Sequence, residues 1–160
     1  MSGIYIHIPF CRQKCYYCDF YKTVKTSYIP QFLSVLKEEA KLRKKYLGNK
    51  AVKTIYLGGG TPSVLTTNDI KNILILLSKE YHLESDAEIT MECNPEDLDS
   101  EYLNNLKNTG VNRLSIGIQS FQDTHLRKMN RRHSAKPYRS KSDRAGPVCR
   151  QTPPPGSPVV

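Results

Sequence analysis

The chain has 160 residues, of which 38% are hydrophobic and 24% are charged. This length fits one domain of ordinary size, and the composition is typical of a globular protein. No apolar run approaches the roughly 20 residues that a membrane span needs, and the N-terminus lacks the pattern of a secretory signal. We therefore expect a cytoplasmic protein, in which five cysteines favour metal binding or redox chemistry over disulfides.

The formal net charge is +9, and it is divided unevenly along the chain. Residues 1–135 carry +5 and residues 136–160 carry +4. The other basic residues concentrate in "KLRKKYLGNK" and "LRKMNRRH", which fit solvated helix ends. Basic patches alone are weak support for a nucleic-acid partner, so we expect none.

Residues 136–160 differ in composition from the rest. They contain six of the ten prolines and show no apolar periodicity, which predicts a disordered tail after a domain at 1–135. A natural flexible tail is one interpretation. Because the change is abrupt, we favour a non-native continuation, which an intact reading in another frame of the DNA would test.

Repeated strand and helix patterns organise residues 1–135. The first strand is predicted at "IYIHI" (Ile4 to Ile8) and is followed by the cysteine-containing stretch. A helix follows from about Tyr28, with Ser27 as its cap and Gly48 near its end. Its apolar stripe comprises Ile29, Phe32, Leu33, Leu36 and Ala40.

Three similar units follow. The second has a strand at Thr54 to Leu57, then "GGGTPS", then a helix opened by "TTND" with Ile70, Ile73, Leu74 and Leu77 inward. The third has a strand at Glu88 to Glu92, then "CNPED", then a helix capped near Asp99 or Ser100, with Tyr102, Leu103 and Leu106 inward and Gly110 as its stop signal. The fourth has a strand at Arg113 to Ile118, then "QSFQD", then a helix from about Asp123.

These units predict an α/β fold of about four parallel strands. Right-handed crossovers would align the carboxyl ends of all four strands at one edge, where ligands bind in such folds. Unusual chemistry follows each strand there: three thiols, three glycines, then Glu92 with Asn94, then Gln119 with Ser120. We predict one composite site.

Cys11, Cys15 and Cys18 have the spacing C-x3-C-x2-C. Three thiolates can each hold one iron of a [4Fe–4S] cluster and leave the fourth iron open to a small ligand. The alternative is tetrahedral zinc with His7 or Cys93 as fourth ligand, although the usual distant second pair is missing. Inert buried thiols remain a third interpretation.

The other candidate residues are less specific. The glycines of "GGGTP" would let backbone groups approach a bound molecule, or would serve a tight turn. Glu92 could accept hydrogen bonds from a ligand or be a solvated strand-end acid. His7 should share a strand face with Tyr5 and is better explained as a structural hydrogen-bonding residue, and Cys93 as a core residue.

The motifs together resemble a known family. "YIHIPFCRQKCYYCDF", "IYLGGGTPS", "EITMECNPEDL" and "NRLSIGIQSFQDTHLRKMNR" are similar to the radical S-adenosylmethionine (SAM) proteins of the coproporphyrinogen-oxidase-like group, over residues 3 to about 135. The resemblance implies the N-terminal part of a partial (β/α)6, TIM-like barrel. The family's core is longer than this chain, so the resemblance also implies a truncated barrel.

The resemblance also implies roles for individual residues. Cys11, Cys15 and Cys18 would ligate a [4Fe–4S] cluster that donates an electron to SAM, splitting it into methionine and a 5′-deoxyadenosyl radical. The residues implied in the SAM pocket are Tyr5, Tyr17, Gly59, Gly60, Thr61, Glu92, Gln119 and Arg131.

Two branches of the family differ next to the third cysteine. Oxygen-independent coproporphyrinogen III oxidases of porphyrin biosynthesis have a further Cys two residues after it, where this chain has Phe20. The resemblance is therefore greater to the haem chaperones, which bind haem and pass it to acceptor proteins. Haem or another tetrapyrrole, an acceptor protein and a reductant protein are the implied partners, and enzymatic activity is left open. A zinc-stabilised nucleic-acid-binding module is the alternative of another class.

Overall fold

The computed structural model describes residues 2–48 and 50–135. In them, four strands form one parallel sheet: β1 (Ser2–Ile8), β2 (Val52–Gly59), β3 (Leu83–Cys93) and β4 (Arg113–Ile116). The strand order is β1-β2-β3-β4. The predicted disordered tail at 136–160 lies outside the described residues.

Four α-helices connect and follow the strands: α1 (Ile29–Leu42), α2 (Thr67–Glu80), α3 (Ser100–Lys107) and α4 (Asp123–Lys128). The prediction of four strand–helix units is confirmed. The predicted fourth strand was two residues too long, because β4 ends at Ile116 and not at Ile118. None of the helices described is long and apolar enough to cross a membrane.

The core lies between the sheet and its helices. Alternation along each strand sends one set of side chains into this core, as with Ile6 and Ile8 of β1. Burying one such aliphatic side chain stabilises the fold by about 1.5–3 kcal/mol. The residues that form the core are Ile6, Ile8, Phe10, Val52, Ile55, Leu57, Leu65, Ile70, Ile73, Leu74, Leu77, Met91, Cys93, Leu98 and Leu106.

Helix ends follow local sequence signals in two cases and depart from them in one. Thr66 and Asp69 form a capping box on α2, and Asp99 caps α3 by accepting a hydrogen bond from Tyr102 N. The prediction that Ser27 caps α1 is wrong. Ser27 lies inside a 3₁₀ turn (Thr26–Tyr28) that runs directly into α1.

The end of α1 also came earlier than predicted. The α-helix stops at Leu42 and the chain continues as a 3₁₀ turn, Arg43–Tyr46, before Gly48. Gly48 has φ +57, which suits glycine at the end of a helical segment. The predicted inward stripe is confirmed, with Ala40 buried and Ile29, Phe32, Leu33 and Leu36 packed against the core.

Candidate functional site

The opposite face of the sheet carries an aromatic and acidic group. Tyr5 and Tyr56 are neighbours in the β1–β2 register, and their rings stack at a centroid distance of 6.0 Å. Tyr5 Oη lies 3.1 Å from His7 Nδ1, and His7 Nε2 lies 3.0 Å from the carbonyl oxygen of Tyr21. The predicted shared face of Tyr5 and His7 is confirmed, and His7 makes hydrogen bonds within the chain.

Glu92 is fixed by two donors from β2. Tyr56 Oη donates to Glu92 Oε1 at 2.8 Å, and Gly59 N donates to Glu92 Oε2 at 3.0 Å. Burial and the Glu92 carboxylate together raise the pKa of Tyr56. Each carboxylate oxygen has capacity for a further hydrogen bond, so Glu92 can also accept one from a ligand. Sequence reasoning missed Tyr56, although alternation from Ile55 and Leu57 places it on this face.

The glycine run lies where the end of β2 packs closely against β1 and the residues that follow β1. Gly59 has φ +107, and a Cβ there would lie 2.5 Å from the His7 ring. A Cβ on Gly60 would lie 2.8 Å from the carbonyl oxygens of Ile8 and Phe10. The glycines are thus required by strand packing, whatever a ligand adds.

The amide groups after β2 are already paired. Gly60 N donates to the carbonyl oxygen of Ile8 and Thr61 N to that of Phe10, both at 2.8 Å. With Gly59 N on Glu92, all three amides bond within the chain. That the backbone of Gly59, Gly60 and Thr61 lines a cofactor stays a prediction.

The cysteine-bearing segment forms a loop closed at its base, residues 9–23, here named the cysteine loop. A backbone bridge pairs Phe10 with Thr23; Cys11 N donates to Thr23 O at 2.9 Å, and Thr23 N to Pro9 O at 2.7 Å. Cys11 is buried, whereas Cys15 and Cys18 are partly exposed. These contacts present the three thiols at the carboxyl end of β1.

Two of the thiols receive a hydrogen bond from a side chain outside the cysteine loop. Thr61 Oγ1 donates to Cys11 Sγ at 3.3 Å, and Arg131 Nη1 donates to Cys15 Sγ at 3.6 Å. Burial raises the pKa of Cys11, whereas the bond from Thr61 and the charge of Lys22 act in the opposite direction. Both donors would stabilise sulfur in its ionised, metal-binding form.

Asn94 joins these two donors. Its Nδ2 donates to Thr61 Oγ1 at 3.3 Å, and its Oδ1 accepts from Arg131 Nη2 at 2.8 Å. Arg131 Nη2 also donates to Gly117 O at 2.7 Å, beyond β4. The ends of β2, β3 and β4 therefore converge on the cysteine loop, as the strand pattern predicted.

A second set of contacts ties the loop to the turn after β3. Arg12 Nε lies 3.3 Å from Asp97 Oδ1, and Ser63 Oγ donates to Asp97 Oδ2 at 2.7 Å. Nearby, Glu96 Oε2 lies 3.4 Å from Nδ1 of the buried His133. Burial acts to raise the pKa of Glu96, but its hydrogen bonds and the charges of Arg131 and His133 prevail and lower it.

The remaining predicted residues differ in how firmly they are placed. Tyr17 is 39% exposed and lies close to Cys15 and Arg131. Its pKa is raised by burial, and the charge of Arg131 opposes this rise while Cys15 adds to it. Gln119 is exposed in the loop after β4 and has φ +63, an uncommon conformation for a residue other than glycine. Cys93 is buried in the core, as expected.

The thiol set fits an iron–sulfur cluster by its chemistry. Soft sulfur donors suit such clusters. The hydroxyl of Thr61 and the guanidinium of Arg131, which donate to Cys11 and Cys15, are the kind of outer contact that adjusts the reduction potential of a cluster. Within residues 2–48 and 50–135, no three His, Cys, Asp or Glu side chains are close enough together to hold a metal ion. The ligand roles of Cys11, Cys15 and Cys18 therefore stay predictions.

Known proteins share this pattern. A model of the radical SAM superfamily matches residues 5–145, which is ten residues past the predicted end of the resemblance. A relative named "Heme chaperone HemW" from Bacillus subtilis (strain 168) is 39% identical over 147 residues, covering 91% of this chain and 39% of that protein. The "Oxygen-independent coproporphyrinogen III oxidase" of Salmonella typhimurium is 35% identical over 131 residues, covering 81% of this chain and 29% of the other.

A solved structure shares the fold. Coproporphyrinogen III oxidase (HemN) from Escherichia coli, described as a radical SAM enzyme, superposes with a TM-score of 0.81 at 32% identity. The match covers 89% of this chain and 33% of that one. The chain thus spans 29% to 39% of the length of these three proteins.

Proposed function

This chain belongs to the radical SAM superfamily, and from that premise we propose that it is the N-terminal part of a haem chaperone. In this proposal Cys11, Cys15 and Cys18 would hold a [4Fe–4S] cluster, and the neighbouring strand ends would hold SAM. The reduced cluster supplies the electron that cleaves the SAM sulfonium when both are bound. Membership of the superfamily supports the cluster and SAM; haem, its acceptor, a reductant protein and a cytoplasmic location are the finer proposals.

One observation carries the cluster proposal. Thr61 and Arg131 each donate to a different thiol of the cysteine loop, and Asn94 links the two donors. A core of inert thiols would not need charged and hydroxyl donors aimed at sulfur. Zinc bound with His7 is disfavoured because both ring nitrogens of His7 lie within hydrogen-bond distance of other groups in the chain.

The remaining side chains of the site have binding and positioning roles in this proposal. Glu92, held by Tyr56 and Gly59, would accept hydrogen bonds from a polar group of SAM. Tyr5 and Tyr17 would lie against it, and Arg131 would place a positive charge beside it. Gln119 is exposed in the loop after β4, so its side chain would have to turn inward to complete the pocket.

The test is anaerobic reconstitution of the chain with ferrous iron and sulfide. We expect about four irons and an absorption band near 400 nm, both typical of thiolate-bound [4Fe–4S] clusters. Serine in place of Cys11, Cys15 or Cys18 should prevent this, whereas the control Cys93→Ala should load like the unmodified chain. A chain that carries one zinc as purified and stays colourless after this treatment would support the zinc module instead.

An oxygen-independent coproporphyrinogen III oxidase is the second candidate. Its support is the 0.81 TM-score to the E. coli oxidase and the 35% identity to the Salmonella oxidase. Phe20, in the place of a further Cys, favours the chaperone. Haem titration followed by transfer to apo-protein acceptors tests the chaperone, and anaerobic decarboxylation of coproporphyrinogen with SAM tests the oxidase.

A further inference from the structure

The segment after α4, Met129 to Arg131, reverses the chain and lies against the cysteine loop; we name it the latch. Asn130 N donates to Arg127 O at 3.0 Å and Arg131 N donates to Leu126 O at 2.9 Å. This pair of bonds is a Schellman motif, whose C′ residue must be left-handed. Asn130 has φ +57, a conformation that asparagine tolerates better than most residues other than glycine.

The latch contacts the loop on both sides of its second cysteine. Asn130 Nδ2 donates to Lys14 O at 2.8 Å, and Gln13 Nε2 donates to Asn130 Oδ1 at 2.6 Å and to Asn130 O at 2.9 Å. On the other side, Tyr16 N donates to Met129 O at 3.3 Å. Arg131, the last residue of the latch, donates to the thiol of Cys15 itself.

These contacts act on residues 13–16, which lie between the outside contacts of Cys11 and Arg12 and the turn that Cys18 N closes on Cys15 O. A loop that must be ordered when a ligand binds loses affinity, and prior ordering removes that loss. Lys14 and Tyr16 lie far along the loop from its base at Pro9 and Thr23, and their hydrogen bonds to the latch order them there. The side chain of Asn130 supplies two of these bonds and its φ directs a third.

We propose that Asn130 and Gln13 are positioning residues that hold the backbone around Cys15 in the conformation from which the cluster is bound and retained. The proposal rests on the proposed function, because it concerns the same thiols. It adds that cluster retention depends on residues separated from their contacts by more than 110 positions along the chain.

Asn130→Gly is the variant that best separates the side-chain contacts from the turn. Glycine adopts positive φ readily, so the turn is preserved while both side-chain bonds are lost. Gln13→Ala removes the same contact from the other side. Asn108→Ala is the matched control, because Asn108 is exposed and, among the described residues, its side-chain hydrogen bond goes to Asn104 O, at 3.5 Å.

Two readouts are needed. In the reconstituted chain, we expect a ferrous chelator to remove iron at least tenfold faster from Asn130→Gly, several-fold faster from Gln13→Ala and at the normal rate from Asn108→Ala. In the metal-free chain, hydrogen exchange at the Tyr16 amide should accelerate at least tenfold in Asn130→Gly, while exchange in β2 and β3 is unchanged.

Rates within twofold of the unmodified chain in both latch variants would overturn the proposal. Faster exchange at Tyr16 with unchanged iron release would also overturn it, since the latch would then order the loop without retaining the cluster. Failure of the unmodified chain to incorporate iron would instead refute the proposed function, and exchange in the metal-free chain alone would then decide whether the latch orders the loop.

Discussion

The bond from Tyr56 to Glu92 allows a measurable test of how the candidate site is held together. Tyr56→Phe deletes one hydroxyl, which donates to Glu92 Oε1 at 2.8 Å. The ring is retained, so stacking on Tyr5 at 6.0 Å should persist. Glu92 keeps its second donor, Gly59 N at 3.0 Å, and the carboxylate becomes free to turn about that contact.

The magnitude follows from the charge of the acceptor. A hydrogen bond to a charged group contributes about 1.5–3 kcal/mol. Glu92 and Tyr56 are only partly buried, so water can replace the lost donor and the lower figure applies. We expect the free energy of unfolding to fall by about 1.5 kcal/mol and Tm by about 3–6 °C. On the proposed role of Glu92 in holding SAM, the affinity for SAM should also fall by about threefold to tenfold, because 1.4 kcal/mol is a tenfold change.

Urea denaturation followed by far-UV circular dichroism, without oxygen and with reductant, measures the stability change. Tyr46→Phe is the control, because Tyr46 is 82% exposed and a surface change of this size should stay within about 0.5 kcal/mol. Equal unfolding free energies for Tyr56→Phe and Tyr46→Phe would refute the reasoning.

Three further predictions follow. Thr61→Val removes the donor to Cys11 Sγ at 3.3 Å, so the pKa of Cys11 should rise further and differential alkylation at pH 8 should be several-fold slower there; an unchanged rate would contradict this. The pKa of Glu96 is lowered from 4.5, so its contribution to stability is present above that pH and is lost as the pH falls through the folded pKa. Glu96→Gln should therefore flatten this part of the acid limb in melts between about pH 3 and 6, and an unaltered limb would argue against the assignment. Gly60→Ala places a Cβ 2.8 Å from backbone oxygens, which should cost about 1–3 kcal/mol in thermal melts, and an unchanged Tm would show that the strands can separate there.

The sequence predicted the features that depend on local periodicity. The opening of α2 at "TTND" and its inward stripe are written in residues close together in the sequence, and both predictions were confirmed. The structure adds that Thr66 and Asp69 form a capping box at this opening. Ser27 failed as a cap because a 3₁₀ turn can precede a helix without any distinctive composition. The register that pairs Tyr5 with Tyr56 sets which residues meet, and no local signal reports it.

The sequence predicted the location of the candidate site better than the contacts within it. Parallel topology alone brings the strand ends together, so the thiols, Glu92 and Asn94 could be assigned to one edge. The bonds of Asn94 to Thr61 and Arg131 depend on side-chain directions after three different turns. The asparagine after α4 was a readable signal for a left-handed cap, but its partner in the cysteine loop was not readable.

The distance along the chain between the cysteine loop and the latch has a consequence for synthesis on the ribosome. Gln13 and Asn130 are 117 positions apart. At about 5–20 residues per second, translation takes roughly 6–23 s to cover that interval. During this time the nascent thiols have emerged but lack the contact that would order them. Until Asn130 and Arg131 emerge, Lys14 and Tyr16 of the nascent chain are therefore without their bonds to the latch, and the Cys15 thiol is without its donor.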